Sequence, residues 1–167
     1  MTFDIILAGV GGQGVLSVSA IIASSAMKEG LAVKQSEVHG MSQRGGAVLA
    51  NLRLSDRPIA SDLIPRGSAA LILSMEPLES LRYLEVLSAS GTVVTATNPV
   101  VNIADYPPVD DVLAHVRSLP HALTIDAEGL ARKAGSARAT NMVMVGAASP
   151  MLPVSFGTIE HFVETLF

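Results

Sequence analysis

The stretch FDIILAGVGGQG, residues 3–14, decides the fold. Its first half, Phe3 to Ala8, is a short apolar run with two adjacent isoleucines that stops at a glycine. That pattern reads as a strand buried on both faces, as in a parallel sheet. From Gln13 to Glu29 the period changes: Val15, Leu16, Val18, Ile21, Ile22 and Met27 fall largely on one helical stripe, and Gly30 stands where a C-terminal cap belongs. Strand, glycine turn and helix follow one another. Gly9, Gly11 and Gly14 satisfy the spacing G-x-G-x-x-G at that junction. In this motif one glycine permits the turn, one lets a ligand approach the backbone, and one allows close packing of helix on strand, while the helix N-terminus offers unpaired N–H groups to an anion. Glu37, at the end of the next apolar segment, lies where an acid that binds a ribose is expected. The same spacing also fits glycines that serve only a tight strand-to-helix crossing packed on a partner chain, and both readings stay open.

Working outward, Leu31 to Ser36 reads as a second strand, Glu37 to Gly46 as a polar loop, and Ala47 to Leu54 as a third strand with one polar side. Ala69 to Met75 repeats the buried-strand signature, and Pro77 opens a helix expected over Leu78 to Ser88. Gly91 to Thr97 is a further strand, ended by Asn98-Pro99. A helix over Asp110 to Arg117, a strand over Ala122 to Ile125, a helix capped by Asp126 and running to Lys133, a helical Asn141 to Ala148 and an amphipathic helix over Phe156 to Phe167 complete the chain. Alternating strands and helices predict an α/β fold: a three-layer α/β/α Rossmann-like sheet, mostly parallel, in which an antiparallel strand is admissible, built as one domain over residues 1–167.

Composition narrows the function. Of the residues 49% are hydrophobic and only 16% charged. Such a ratio excludes disorder and suits either an aliphatic core or a surface covered by another subunit. A formal net charge of -4, with cations scattered singly, gives no footprint for nucleic acid. The N-terminus has no signal-peptide pattern and no apolar span is long enough for a membrane, so a cytoplasmic protein is expected. Without any cysteine the chain has no thiolate nucleophile and no cysteine ligands for an iron–sulfur cluster.

The loop Glu37-Val38-His39-Gly40-Met41-Ser42-Gln43-Arg44-Gly45-Gly46 follows the second strand and should emerge beside the first glycine loop. Gly9, Gly11, Gly12, Gln13 and Gly14 then face Ser42, Gln43, Arg44, Gly45 and Gly46, a combination suited to phosphates or to the backbone of a docked subunit. Arg44, flanked by glycines, calls for an anionic partner. His39 lacks a second ligand at metal spacing and suits a structural hydrogen bond, as an alternative to acid–base chemistry. The remaining histidines form no constellation, the methionines suit packing, Glu76 and Glu79 suit a solvated position or a helix N-terminus, and Asn98 and Asn141 suit turn capping.

The segments GVGGQGV, SEVHGMSQRGG, IPRGSAALILSMEPLESLRYL and NMVMVGA, in this order, resemble the gamma subunits and domains of 2-oxoacid:ferredoxin oxidoreductases, and most closely the beta subunits of the indolepyruvate type. The resemblance implies a small, cofactor-free subunit that is not active alone. Its partner would be a large alpha subunit carrying thiamine diphosphate, Mg and iron–sulfur clusters, with ferredoxin reached through the complex. The implied reaction is oxidative decarboxylation of an aryl-2-oxoacid to its acyl-CoA. Contact with coenzyme A would fall on Gly9 through Gly14 and Ser42 through Gly46. Two alternatives remain from the residues themselves: a stand-alone oxidoreductase binding NAD or FAD, and an interaction module with no ligand.

Overall fold

A computed structural model describes residues 1–39 and 45–166, the side chain of His39 aside. Six strands form one mixed sheet flanked by helices on both faces. In chain order, β1 is Thr2–Val10, β2 Ala32–His39, β3 Ala47–Ser55, β4 Ala69–Ser74, β5 Leu87–Ala96 and β6 Ala122–Ile125. The helices are α1 Val15–Lys28, α2 Pro77–Leu81, α3 Val109–Arg117, α4 Ala127–Lys133, α5 Thr140–Ala148 and α6 Phe156–Leu166. Strand order is β2-β3-β1-β4-β5-β6. The strands β1, β4, β5 and β6 run parallel, and β3 is antiparallel to both its neighbours. The Rossmann-like expectation therefore holds with one antiparallel strand, placed between β1 and β2.

The apolar run in β1 follows from this position. Pleating sends alternate side chains to opposite faces. Ile5 and Leu7 enter a core with Val18, Ile22, Leu52 and Met144, whereas Ile6 enters a second core with Ile72, Val93 and Val116. Both faces of β1 are covered, so no polar alternation is needed there.

On the second face, the polar side of β3 is not solvated. Asp4, Arg53 and Lys34 are in register across β1, β3 and β2. The Arg53 guanidinium grips the Asp4 carboxylate at 2.9 and 3.1 Å and also donates to the Ser61 and Leu63 carbonyls, while Lys34 Nζ donates to the Ala60 carbonyl. A loop thus covers this part of the sheet where a helix covers the rest.

Two boundaries differ from the sequence expectation. Glu37, Val38 and His39 belong to β2 and not to the loop. The helix expected over Leu78 to Ser88 is α2 followed by a 3-10 turn at Leu84–Val86, and β5 starts already at Leu87. Leu87 pairs with Ala69 across a bulge, and a Cβ on Gly91 would lie 2.7 Å from the Ala69 carbonyl oxygen. Ladder pairing with β4 outweighs a helical reading of a short apolar run.

Arg53→Ala removes the partner of an Asp4 side chain that is only 6% exposed. The expected loss is about 3 kcal/mol, the lower end for breaking a buried ion pair. Chemical denaturation should show it as a lowered midpoint, and combining it with Asp4→Asn should recover part of the loss.

Candidate functional site

The turn after β1 is held by its own side chain. Gln13 lies in that turn and not in the helix, which begins at Val15. Its Oε1 accepts from the Val10 N–H at 2.8 Å, and its Nε2 donates to the Met75 carbonyl at 3.0 Å. One amide therefore fastens the end of β1 to the end of β4, across the point where successive connections leave the sheet in opposite directions. Gly9 is required by packing: a Cβ there would lie 2.8 Å from Val15 Cγ2 and 3.2 Å from Met75 Cβ. Gly12 (φ 103°) and Gly14 (φ 78°) take backbone conformations that disfavour a side chain. Gly14 is the N-cap of α1, and Asn141 Nδ2 stands where its Cβ would be.

The second loop meets this turn as expected. The Gly11 N–H donates to the Gly46 carbonyl at 2.8 Å. Next to it, Asn102 Nδ2 donates to the Gly45 carbonyl at 2.7 Å. Asn102 belongs to the proline-rich segment between β5 and α3, whose other anchor is Glu76. That carboxylate is 1% exposed; it accepts from the Glu79 N–H at 2.8 Å, from the Val100 N–H at 3.3 Å and from the Tyr106 hydroxyl. The hydrogen bonds close a ring: glycine turn, β4 end, proline-rich segment, second loop and back to the glycine turn.

Glu76 and Glu79 are thus buried and not solvated, although Glu76 does cap the N-terminus of α2. Burial holds the Glu79 carboxyl above its usual range, partly offset by Arg82 at 3.0 Å. Desolvation, and then the hydrogen bond to Glu76, push the Tyr106 phenol well above its ordinary value, so it stays a donor.

Beside the glycine turn, at the carboxyl ends of β4 and β5, an open cleft of about 350 Å³ lies between Gln13, Met75, Asn98, Glu128, Thr140 and Met144. Its walls combine amides, a hydroxyl and thioethers with the aliphatic Ala96, Val100 and Ala127 and one carboxylate, Glu128. Among the described residues no lysine, arginine or histidine lines it.

Of the site residues expected from sequence, Gly9 through Gly14 and Gly45 and Gly46 come together; Ser42, Gln43 and Arg44 lie outside the described residues. Glu37 does not occupy the ribose position. It pairs with Ala50, which in turn faces Leu7, so β3 stands between Glu37 and β1. Its carboxylate accepts from Gln35 Nε2. Asn98 Oδ1 accepts from the Glu128 N–H at 3.4 Å, in keeping with capping. His115, His121 and His161 are exposed, and among the described residues no group of three potential metal ligands occurs. Sequence reading missed Tyr106 and Asn102, whose partners are 30 and 57 positions away, and left Asn141 aside.

Residues 4–166 match the family described as pyruvate ferredoxin/flavodoxin oxidoreductase. The indolepyruvate oxidoreductase subunit IorB of Archaeoglobus fulgidus is 39% identical over 173 residues, which cover 99% of this chain and 85% of that one. The gamma subunit of a keto/oxoacid ferredoxin oxidoreductase from Geobacter sulfurreducens PCA has the same fold, with a TM-score of 0.71 at 22% identity over 98% of this chain and 85% of that one. A 2-oxoglutarate:ferredoxin oxidoreductase from Magnetococcus marinus, solved with 2-oxoglutarate, coenzyme A and succinyl-CoA, gives a TM-score of 0.75 at 20% identity. The match covers 99% of this chain but only 27% of that one.

The two turn glycines separate backbone strain from crowding. Gly12→Ala, with nothing within 4 Å of its Cβ, should cost about 1–2 kcal/mol through its backbone alone. Gly14→Ala should cost more because Asn141 must also move. Adding Asn141→Ala should recover part of the Gly14→Ala loss and none of the Gly12→Ala loss, as read from thermal denaturation.

Proposed function

This chain belongs to the pyruvate ferredoxin/flavodoxin oxidoreductase family, and we propose that it serves there as the small, cofactor-free subunit of an indolepyruvate-type, thiamine-diphosphate-dependent oxidoreductase. The observation that carries this reading is the 39% identity to an indolepyruvate oxidoreductase subunit across 99% of the chain. The reaction is oxidative decarboxylation of an aryl-2-oxoacid to its acyl-CoA, with ferredoxin as electron acceptor. Thiamine diphosphate, Mg and iron–sulfur clusters belong to a large partner subunit, where they supply decarboxylation and one-electron chemistry. A chain without cysteine has no thiolates for clusters.

This subunit's own part is to position coenzyme A and shield the reaction from water. Support comes from the sheet edge. The glycine turn opens onto an α1 N-terminus without a side-chain cap, and the second loop ends against it. Gly9 through Gly14, with Ser42 through Gly46, are the residues that would face the phosphates, and Arg44 supplies their positive charge.

Independent NAD or FAD binding is the less supported reading. In a dinucleotide site the strand with the ribose acid lies directly beside β1. Here β3 takes that place.

Affinity purification of the tagged chain from its native cytosol tests the assignment. A co-purifying large subunit with thiamine diphosphate, iron and aryl-2-oxoacid-dependent ferredoxin reduction is the expected result; a lone protein carrying NAD or FAD would overturn it. In the recovered complex, Arg44→Ala should weaken coenzyme A-dependent turnover more than subunit association.

A further inference from the structure

Residues 98–108, between β5 and α3, are drawn across the carboxyl edge of the sheet. The segment leaves β5 after Thr97, whose N–H still donates to the Ile125 carbonyl. At Val100 it bonds to Glu76, just beyond the end of β4, and at Asn102 to Gly45, just before β3. Because β3 is antiparallel to β1, its start lies at the same edge as the ends of β1, β4 and β5. In the order β3-β1-β4-β5 the path from β5 to β3 therefore crosses the ends of β4 and β1. Between those two strands successive connections leave in opposite directions, and open α/β sheets take their ligands in such a crevice.

The crossing has little slack. Three strand spacings amount to about 14 Å, and the backbone from Thr97 to Asn102 reaches about 17 Å when fully extended. Polar bonds, not packing, hold the segment down. Residues 101–105 are all exposed, Val101 at 71%, and among the described residues Asn102 makes their one side-chain hydrogen bond. The other anchor is the buried Glu76 carboxylate, which accepts from both the Val100 N–H and the Tyr106 hydroxyl. Water replaces each of these bonds when the segment lifts, so each contributes little net. A segment with few buried apolar contacts and exposed hydrogen bonds opens locally without unfolding the rest. Pro99, Pro107 and Pro108 fix φ at both of its ends, and the residues between them move as a short, stiff piece.

We propose that residues 98–108 form a lid over the crevice between β1 and β4: closed, it is latched by Asn102 on Gly45 and by Val100 and Tyr106 on Glu76, and it lifts as one unit to admit a ligand. The taut path makes it one unit, since the tip reaches Gly45 only while the base lies on Glu76. Lifting hands the Glu76 carboxylate to water, so the open state leaves no buried charge unpaired. Closed, the lid walls the cleft through Asn98 and Val100 and meets the loop whose Gly46 carbonyl accepts from Gly11. Release of Gly45 therefore opens that neighbouring bond to solvent as well. The lid follows from the geometry of the chain itself and holds for any ligand the crevice takes.

Hydrogen exchange of the full chain, read residue by residue by NMR, tests the lid at two amides: Val100, which donates to Glu76, and Gly11, which donates to Gly46. Asn102→Ala should speed exchange at both about fivefold, the equivalent of one net hydrogen bond. Tyr106→Phe, which takes a donor from the Glu76 carboxylate, should speed both about tenfold or more. The amides of Leu7 and Leu73, paired across β1 and β4, should keep their rates in both variants. Unchanged exchange at Val100 and Gly11 in a folded Asn102→Ala chain would overturn the lid. Acceleration at only one of these two amides would overturn its movement as one unit, and equal acceleration at Leu7 and Leu73 would replace it by a general loosening of the sheet. Neither partner nor ligand enters the measurement, so its result stands apart from the subunit assignment.

Discussion

Insertion of the antiparallel β3 between β1 and β2 governs the arrangement of the whole carboxyl edge. Neighbouring strands lie about 4.8 Å apart, so the end of β2, with Glu37, is moved to about 10 Å from β1. In its place the start of β3 brings Gly46 within hydrogen-bonding reach of Gly11. A glycine fingerprint that would otherwise face a ribose-binding acid faces the backbone of a second loop. This single change in strand order turns a dinucleotide-like opening into a different kind of site.

Around that opening the structure relies on side-chain to backbone bonds that connect distant segments. Gln13 bridges β1 and β4, Glu76 gathers α2 and the proline-rich segment, and Asn102 returns to the second loop. Taking a carboxylate such as Glu76 out of water costs several kcal/mol. Three donors offset that cost, and hydrogen bonds to an ionised acceptor are the stronger kind. The walls of the cleft are thereby set by groups that belong to three separate connections, and a loss at one of them loosens the others.

How far this was legible in the sequence depended on the range of the interaction concerned. The β1 strand and the helix after it were readable because length, period and glycine spacing are local, and Asp126 was a recognisable cap, here accepting from the Gly129 N–H. Gly45 and Gly46 were placed beside the turn because consecutive strands of like direction send their loops to one edge. The position of β3 was not readable, since alternating Asn51 and Arg53 say which way the strand faces but not which neighbours it pairs with. Leu84 to Leu87 was ambiguous for a related reason: a short apolar run fits either state, and its ladder partner Ala69 decides it. Burial of Glu76 depended on Tyr106 and Val100, which no local pattern connects to it. Asn141 stands in a recognisable segment, yet its close contact with Gly14 exists only in the folded chain.

Uncharged donors also set a limit on what this chain achieves alone. A hydrogen bond of this kind contributes about 1 kcal/mol net. The three first-turn N–H groups of α1 would therefore supply an anion with about 3 kcal/mol, weaker than a millimolar complex. Tighter capture requires a cation, and among the described residues none lines the cleft. Under the proposed assignment that charge would come from Arg44 or from a partner chain. Orientation of the ligand would then be the contribution of this subunit's backbone and amides, and affinity would arise on assembly. Under the proposed assignment such a division would couple occupancy of the site to formation of the complex.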